Sequence, residues 1–192
     1  MLGAGSWGTA LAIQFARAGH PAVLWGHDAT IIATMANARR NARYLPDAAF
    51  PPLLELTPDL TTAVTGADDV LVAVPSHALR GLLSALARLP LRRLAWATKG
   101  FEADTGLLPH QIAGQMLPAS VPTAVLSGPT FAREVGAGLP TAMTIASADL
   151  DFAQRLAETI STDTFRAYTS TDIAGVEVGG ATKNVYAIGA GI

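Results

Sequence analysis

The sequence predicts an α/β fold built on a mostly parallel sheet, and three observations carry that expectation. Short apolar runs without polar alternation read as strands buried on both faces, at Ala22–Trp25, Val70–Val74, Leu94–Ala97, Thr123–Leu126 and Thr141–Ser147. Segments with helical spacing separate them, most clearly Thr9–Ala18, Ala29–Ala38, Ala78–Leu89 and Phe152–Ile160, which implies right-handed βαβ crossovers. A glycine-rich turn, Gly3-Ala4-Gly5-Ser6-Trp7-Gly8, opens the first helix and fits G-x-G-x-x-G.

Composition narrows the class. The 192 residues are 50% hydrophobic and 15% charged with a formal net charge of -2, so ordering entropy can be offset and disorder is excluded. That balance, with no basic block, argues against a nucleic-acid surface. Zero cysteines exclude disulfides, a thiolate nucleophile and a cysteine-held metal, and no metal site is expected. The mean hydropathy is +0.34, yet no apolar run approaches the roughly 18 residues of a membrane span. A soluble cytoplasmic protein is expected. Of 13 basic residues only two are lysines, Lys99 and Lys183.

In the glycine turn, Gly3 is expected to allow the tight bend, Gly5 a pyrophosphate against the backbone, and Gly8 close packing of helix on sheet. The helix beginning near Ser6 would meet the negative charge with free N–H groups and its dipole. No G-K-S/T follows, so ATP hydrolysis is not expected. The next strand ends Trp25-Gly26-His27-Asp28, with small Gly26 where an acid would select NAD. The pocket therefore reads as permissive for NADP: His27 is the expected 2′-phosphate contact and Asp28 a helix cap. Arg39, Arg40 and Arg43 read as a solvated helix end, with a phosphate clamp as the second choice.

Arg43–Pro58 carries Pro46, Pro51, Pro52 and Pro58 and is expected to be an extended or turning surface connection. After the next strand comes Val74-Pro75-Ser76-His77, where Ser76 reads as a helix N-cap, and His77 as a base has no orienting carboxylate nearby in sequence. Lys99 ends a strand in Ala97-Thr98-Lys99-Gly100 and would point a compact charge into the cleft. In Ser127–Glu134, Gly128 permits close backbone approach, Pro129 suits a first helical position, and Thr130 with Ala132 would begin a short helix, either as structure alone or as a ligand site.

Asp172 is the expected N-cap of a long Ala/Gly/Val-rich helix reaching Ile192. Its adjacent Gly179 and Gly180 cost about 1 kcal/mol each relative to alanine, which points to close packing on a ligand or helix. Lys183 stands among Val, Ala and Ile, where desolvation would lower its pKa toward a value suited to proton transfer. The apolar ending, and the two residues before Gly3 where a strand would have five or six, raise the expectation of further chain at both ends.

In this order and at these spacings, GAGSWGTALA, LWGHD, NARYLP, VAVPSH, ATKGFE, SGPTFAREV and GGATKNVYAIGAG closely resemble the bacterial NAD(P)-dependent sn-glycerol-3-phosphate dehydrogenases along the whole chain. Related 3-hydroxyacid and sugar-acid dehydrogenases share the loop and a helix lysine but lack SGPTFA. The resemblance implies a Rossmann-like doubly wound domain over residues 1–170, then the first helix of a truncated all-α substrate domain over 171–192. It implies that Ser6, Trp7, His27, Lys99 and Ala132 join Gly3, Gly5 and Gly8 at the cofactor. Lys99, Gly128, Thr130 and Lys183 would meet the substrate, with Lys183 as proton acceptor. The implied reaction interconverts sn-glycerol 3-phosphate and dihydroxyacetone phosphate with NAD(P)(H), supplying phospholipid synthesis, and a homodimer is the assembly to test.

Two other readings stay open. A 3-hydroxyacid or 6-phosphogluconate-type dehydrogenase would oxidise those acids instead, and a non-catalytic NAD(P)-binding sensor would lose nothing when Lys183 becomes Ala.

Overall fold

The computed structural model describes residues 1–191; Ile192 and the side chains of Asn184, Val185 and Ala187, all within the expected 171–192 segment, lie outside the described residues. In chain order the elements are α1 (Ser6–Arg17), β1 (Ala22–Trp25), α2 (Ala29–Ala38), β2 (Arg40–Asn41), β3 (Leu45–Ala49), β4 (Leu54–Thr57), α3 (Leu60–Val64) and β5 (Val70–Val72). There follow α4 (Ser76–Leu86), β6 (Leu94–Trp96), α5 (Pro109–Met116), β7 (Thr123–Ser127), α6 (Ala132–Ala137), β8 (Thr141–Ser147), α7 (Leu150–Ile160), β9 (Phe165–Ser170) and α8 (Ile173–Ala190).

The expected mostly parallel sheet is present. β1 pairs with β4, β5 with β6, β6 with β7 and β8 with β9 in parallel, while β7 and β8 run antiparallel. Leu2 joins the two parts, bridging Trp25 on one side and Val72 on the other. Its seam is made by backbone N–H groups of Leu2, Gly3, Trp25 and Ala73 donating to the carbonyls of Leu71, Trp25, Met1 and Leu2 at 2.7 to 2.9 Å. Counting Met1–Gly3 as the first strand, the order reverses at that strand, the place where α/β sheets bind ligands.

Side chains alternate across this sheet, as the pleat requires. Leu71, Ala95, Leu126 and Ile145 enter one core with Leu11, Ile13, Phe152 and Leu156. Val70, Val72, Trp96 and Val125 enter the other with Leu79, Leu83, Leu86 and Ile112. Helices thus cover both faces, which is why the strand runs lack polar alternation. α1 reaches so deep because its only charged residue is Arg17 in the last turn. Buried Gln14 donates to the Ile160 carbonyl at 2.9 Å, and Arg17 closes the end of α6 by donating to the Val135 carbonyl at 2.9 Å and to that of Gly136.

One expectation is overturned. Arg43–Pro58 is not merely a surface connection, because β4 within it hydrogen-bonds along the full length of β1. The prolines are compatible with this: Pro51, Pro52 and Pro58 flank β4, and Pro46 falls between the paired positions of the short β2–β3 ladder. β9 was also unforeseen. It is an edge strand whose one buried side chain is Phe165.

Candidate functional site

The glycine loop follows directly on the Leu2 seam. Gly3 has a φ of +118°, and a Cβ there would fall 2.6 Å from the Ala73 carbonyl oxygen. A Cβ on Gly8 would fall 1.9 Å from the Gly3 oxygen, so α1 meets the loop without room for a methyl group. Gly5 differs: a Cβ there meets nothing within 4 Å, and as N-cap of α1 it leaves the first-turn N–H groups without a side-chain partner. Two buried polar atoms, the Trp7 indole N–H within this loop and the Thr130 hydroxyl after β7, find no hydrogen-bond partner among the described residues. An open glycine, free helix donors and unpaired buried groups are the features that a bound dinucleotide would satisfy.

At the end of β1, Gly26 is buried, and a Cβ would lie 2.8 Å from Ile32 Cδ1 and 3.0 Å from Ala4 Cβ, so a larger residue there would require the Ile32 side chain to move. Asp28 caps α2, accepting from the Ile31 N–H at 3.0 Å. His27 is exposed. Arg39 is the exposed C-cap of α2, at a solvated helix end as expected; with a φ of 50° it also donates to the carbonyls of Leu54 at 2.9 Å and Pro51 at 2.5 Å, tying α2 to β4. Arg40 and Arg43 are exposed.

At β5, Pro75 is the N-cap of α4 and Ser76 its first residue, so the expected Ser76 cap is corrected. At the end of β6, Thr98 donates to the Val74 carbonyl at 2.8 Å, and Lys99 Nζ donates to the Gly128 carbonyl at 3.4 Å while lying 5.8 Å from the centre of the Trp7 ring. Burial pulls the Lys99 pKa below its ordinary value, and the Lys183 charge adds to the effect. The same loop is fastened by Arg80, which donates to both oxygens of Glu102 at 2.7 and 2.8 Å; with Thr105 it holds that carboxyl at about 2.

At the end of β7, a Cβ on Gly128 would lie 2.9 Å from the Ala142 carbonyl oxygen, so its close approach is to β8. α6 begins at Ala132 with Phe131 as N-cap, and Pro129 is therefore not its first residue. α8 comes next, with Asp172 accepting from the Gly175 N–H at 2.8 Å. Lys183 is half-buried and stands over the Phe131 ring at 4.2 Å, a cation–π contact from another segment of the chain. Lys183, Gly128, Gly179 and Gly180 line one cavity of about 270 Å³.

The structure thus gathers Trp7, Lys99, Gly128, Thr130 and Lys183 at the carboxyl edge of the sheet. Phe131 and Glu177 were missed. Phe131 could have been found from its place inside SGPTFAREV; Glu177 had as its signal a lone acid within apolar GVEVGG.

A family model described as the NAD-dependent glycerol-3-phosphate dehydrogenase N-terminus matches residues 1–153. The chain belongs to this family. It is 51% identical over 195 residues to the glycerol-3-phosphate dehydrogenase (NAD(P)+) of Escherichia coli O1:K1 / APEC, and 51% identical over 196 to that of Xanthomonas euvesicatoria pv. vesicatoria. All of the chain is matched in both, against 58% and 57% of those proteins. The crystal structure of glycerol-3-phosphate dehydrogenase from Coxiella burnetii superimposes with a TM-score of 0.91 at 40% identity, covering 97% of this chain and 57% of that one. The chain therefore spans little more than half the length of these family members. Among the described residues no helix is long and apolar enough to cross a membrane, and no group of three metal-ligating side chains is gathered.

Proposed function

We propose that this chain supplies the dinucleotide-binding half and the proton-carrying lysine of an NAD(P)-dependent oxidoreductase that interconverts sn-glycerol 3-phosphate and dihydroxyacetone phosphate. The observation that carries the reading is the position of Lys99, whose amine donates to the carbonyl of Gly128, a residue that lines the same cavity as Lys183, while lying 5.8 Å from the ring of Trp7 in the open glycine loop. Residues 1–170 form the cofactor unit in this reading, and 171–192 begin a helical substrate unit.

Gly3, Gly5, Ser6, Trp7 and Gly8 hold the dinucleotide phosphates, with His27, Lys99 and Ala132 as further contacts; Gly26 and His27 make the pocket compatible with NADPH. Bound there, the nicotinamide supplies hydride to the substrate carbonyl carbon. Lys99, Gly128 and Thr130 hold the phosphorylated three-carbon substrate, Lys99 as a compact positive charge. The Lys183 ammonium stabilises the developing alkoxide and protonates it. In the oxidising direction its neutral amine takes the hydroxyl proton. Supply of glycerol 3-phosphate to phospholipid synthesis, a cytoplasmic location and a homodimer, the last checked by light scattering, complete the reading.

The test follows NADPH absorbance with dihydroxyacetone phosphate in the full-length gene product, with and without Lys183→Ala. Turnover is expected to collapse while cofactor affinity stays nearly unchanged, because Lys183 acts in the transition state. Equal rates would refute the assignment. Oxidation of 3-hydroxyacids or 6-phosphogluconate in preference would favour the related dehydrogenases.

A further inference from the structure

α8 is apolar along most of its length, yet Glu177 within it is only 4% exposed. Its Oε1 accepts from the Trp96 indole N–H at 2.7 Å and from the His110 backbone N–H at 3.0 Å. Its Oε2 meets the His110 ring Nδ1 at 2.5 Å. Two N–H donors and a ring nitrogen from two other elements, the end of β6 and the first turn of α5, thus converge on one side chain of α8. Burying a carboxylate is costly even when it is fully paired, and an apolar residue of the same volume often stabilises as well or better. Apolar contacts, however, let a helix rotate and slide, whereas directed hydrogen bonds to two elements fix both motions.

The next contact on this side is Gly180, packed against Ser127 of β7. Each step of three residues turns a helix by about 60° backwards and advances it about 4.5 Å. From Glu177 through Gly180 to Lys183, two steps carry the lysine about 9 Å along the axis and off the packed face toward the cavity. The rotation of α8 set at Glu177 therefore decides where the Lys183 amine stands.

We propose that Glu177 is a positioning residue, the buried pin that holds α8 so that Lys183 faces the reacting oxygen. This rests on the assignment of Lys183 as the proton carrier. It acts through Lys183 and does not touch the substrate.

The experiment compares Glu177→Ala, Glu177→Gln and Lys183→Ala in the full-length gene product, measuring kcat with dihydroxyacetone phosphate, NADPH affinity by fluorescence, and hydrogen exchange along α8. Glu177→Ala is expected to lower kcat about 10- to 100-fold, the scale of an ångström-level misplacement. NADPH affinity should hold within about twofold, since the cofactor loop lies on α1, and the α8 amides should exchange faster. Glu177→Gln keeps the Oε1 acceptor for Trp96 and the His110 N–H and should recover most of kcat. An unchanged kcat in Glu177→Ala, or a Gln variant as slow as the Ala one, overturns the positioning role. If Lys183→Ala keeps full turnover, the function assignment itself fails, and the two failures are told apart by that third variant. Should Glu177→Ala not fold, Trp96→Phe removes one donor only and must show the same kcat-selective loss for the proposal to stand.

Discussion

A Cβ placed on Gly180 would lie 2.5 Å from the hydroxyl oxygen of Ser127, so α8 packs on the end of β7 closely enough that an added methyl group would displace that hydroxyl. At Gly179 a Cβ meets nothing within 4 Å. Adjacent glycines in one helix should therefore respond oppositely to alanine. Gly179→Ala should stabilise by up to about 1 kcal/mol through helix propensity alone. Gly180→Ala should destabilise by about 1–3 kcal/mol, the usual range for overpacking. Adding Ser127→Ala should return most of that loss. Denaturant melts of the four proteins decide it, and the opposite ranking of the two glycine variants would refute the packing argument.

The loop glycines separate in the same way. Gly8→Ala forces Cβ into the Gly3 carbonyl and should lower the melting temperature by several degrees, the shift expected for a loss of about 1–3 kcal/mol. Gly5→Ala should leave stability within about 0.5 kcal/mol and weaken NADPH binding, because its open space is where phosphate oxygens would approach. Thermal melts paired with fluorescence titration read both quantities.

Burial, then the nearby Lys183 charge, depresses the Lys99 pKa. A base held below its unfolded pKa binds fewer protons folded than unfolded, so it weakens the fold as pH drops through that interval, and the full cost is in place below it. Lys99→Met should therefore raise the melting temperature at neutral pH while abolishing turnover. Lys183→Met should move the Lys99 pKa upward. Lys99 and Lys183 are the two lysines of these 192 residues, so after reductive methylation the signal lost in each Met variant assigns their side-chain NMR resonances, whose titration shows the shift directly.

For the Arg80–Glu102 pair the sign is reversed. Glu102 is held at about 2 against an ordinary 4.5, first by the Arg80 hydrogen bonds. Its contribution is complete above the ordinary value and disappears as pH falls toward 2. Wild type should exceed Glu102→Gln in stability at pH 6, and the gap should close on acidification. A gap that persists at pH 2 would mean that the ion pair is not its source.

Much of the fold was legible because strands buried on both faces announce themselves by unbroken hydrophobicity. Ala22–Trp25 and Thr141–Ser147 have the same limits in the sequence reading and in the structure. β4 was hidden by its flanking prolines, and β9 by polar side chains that an edge strand tolerates. In the site, single motifs pointed to Lys99 and Lys183, but their surroundings come from elsewhere in the chain. The ring beside Lys183 is that of Phe131, and the partners of Glu177 lie 81 and 67 residues away in Trp96 and His110. No local window displays such neighbours, which require the strand order to be known first.

The bridge at Leu2 gives the sheet a mechanical character. β4 and β1 on one side are stitched to β5 on the other through Met1–Gly3, and the last of these is the glycine on which the phosphate loop bends. The residues that join the flanks and the residue that turns the chain toward a phosphate are consecutive, so a strand substitution far from any ligand that loosens the stitch should be felt as a weakened grip on the dinucleotide.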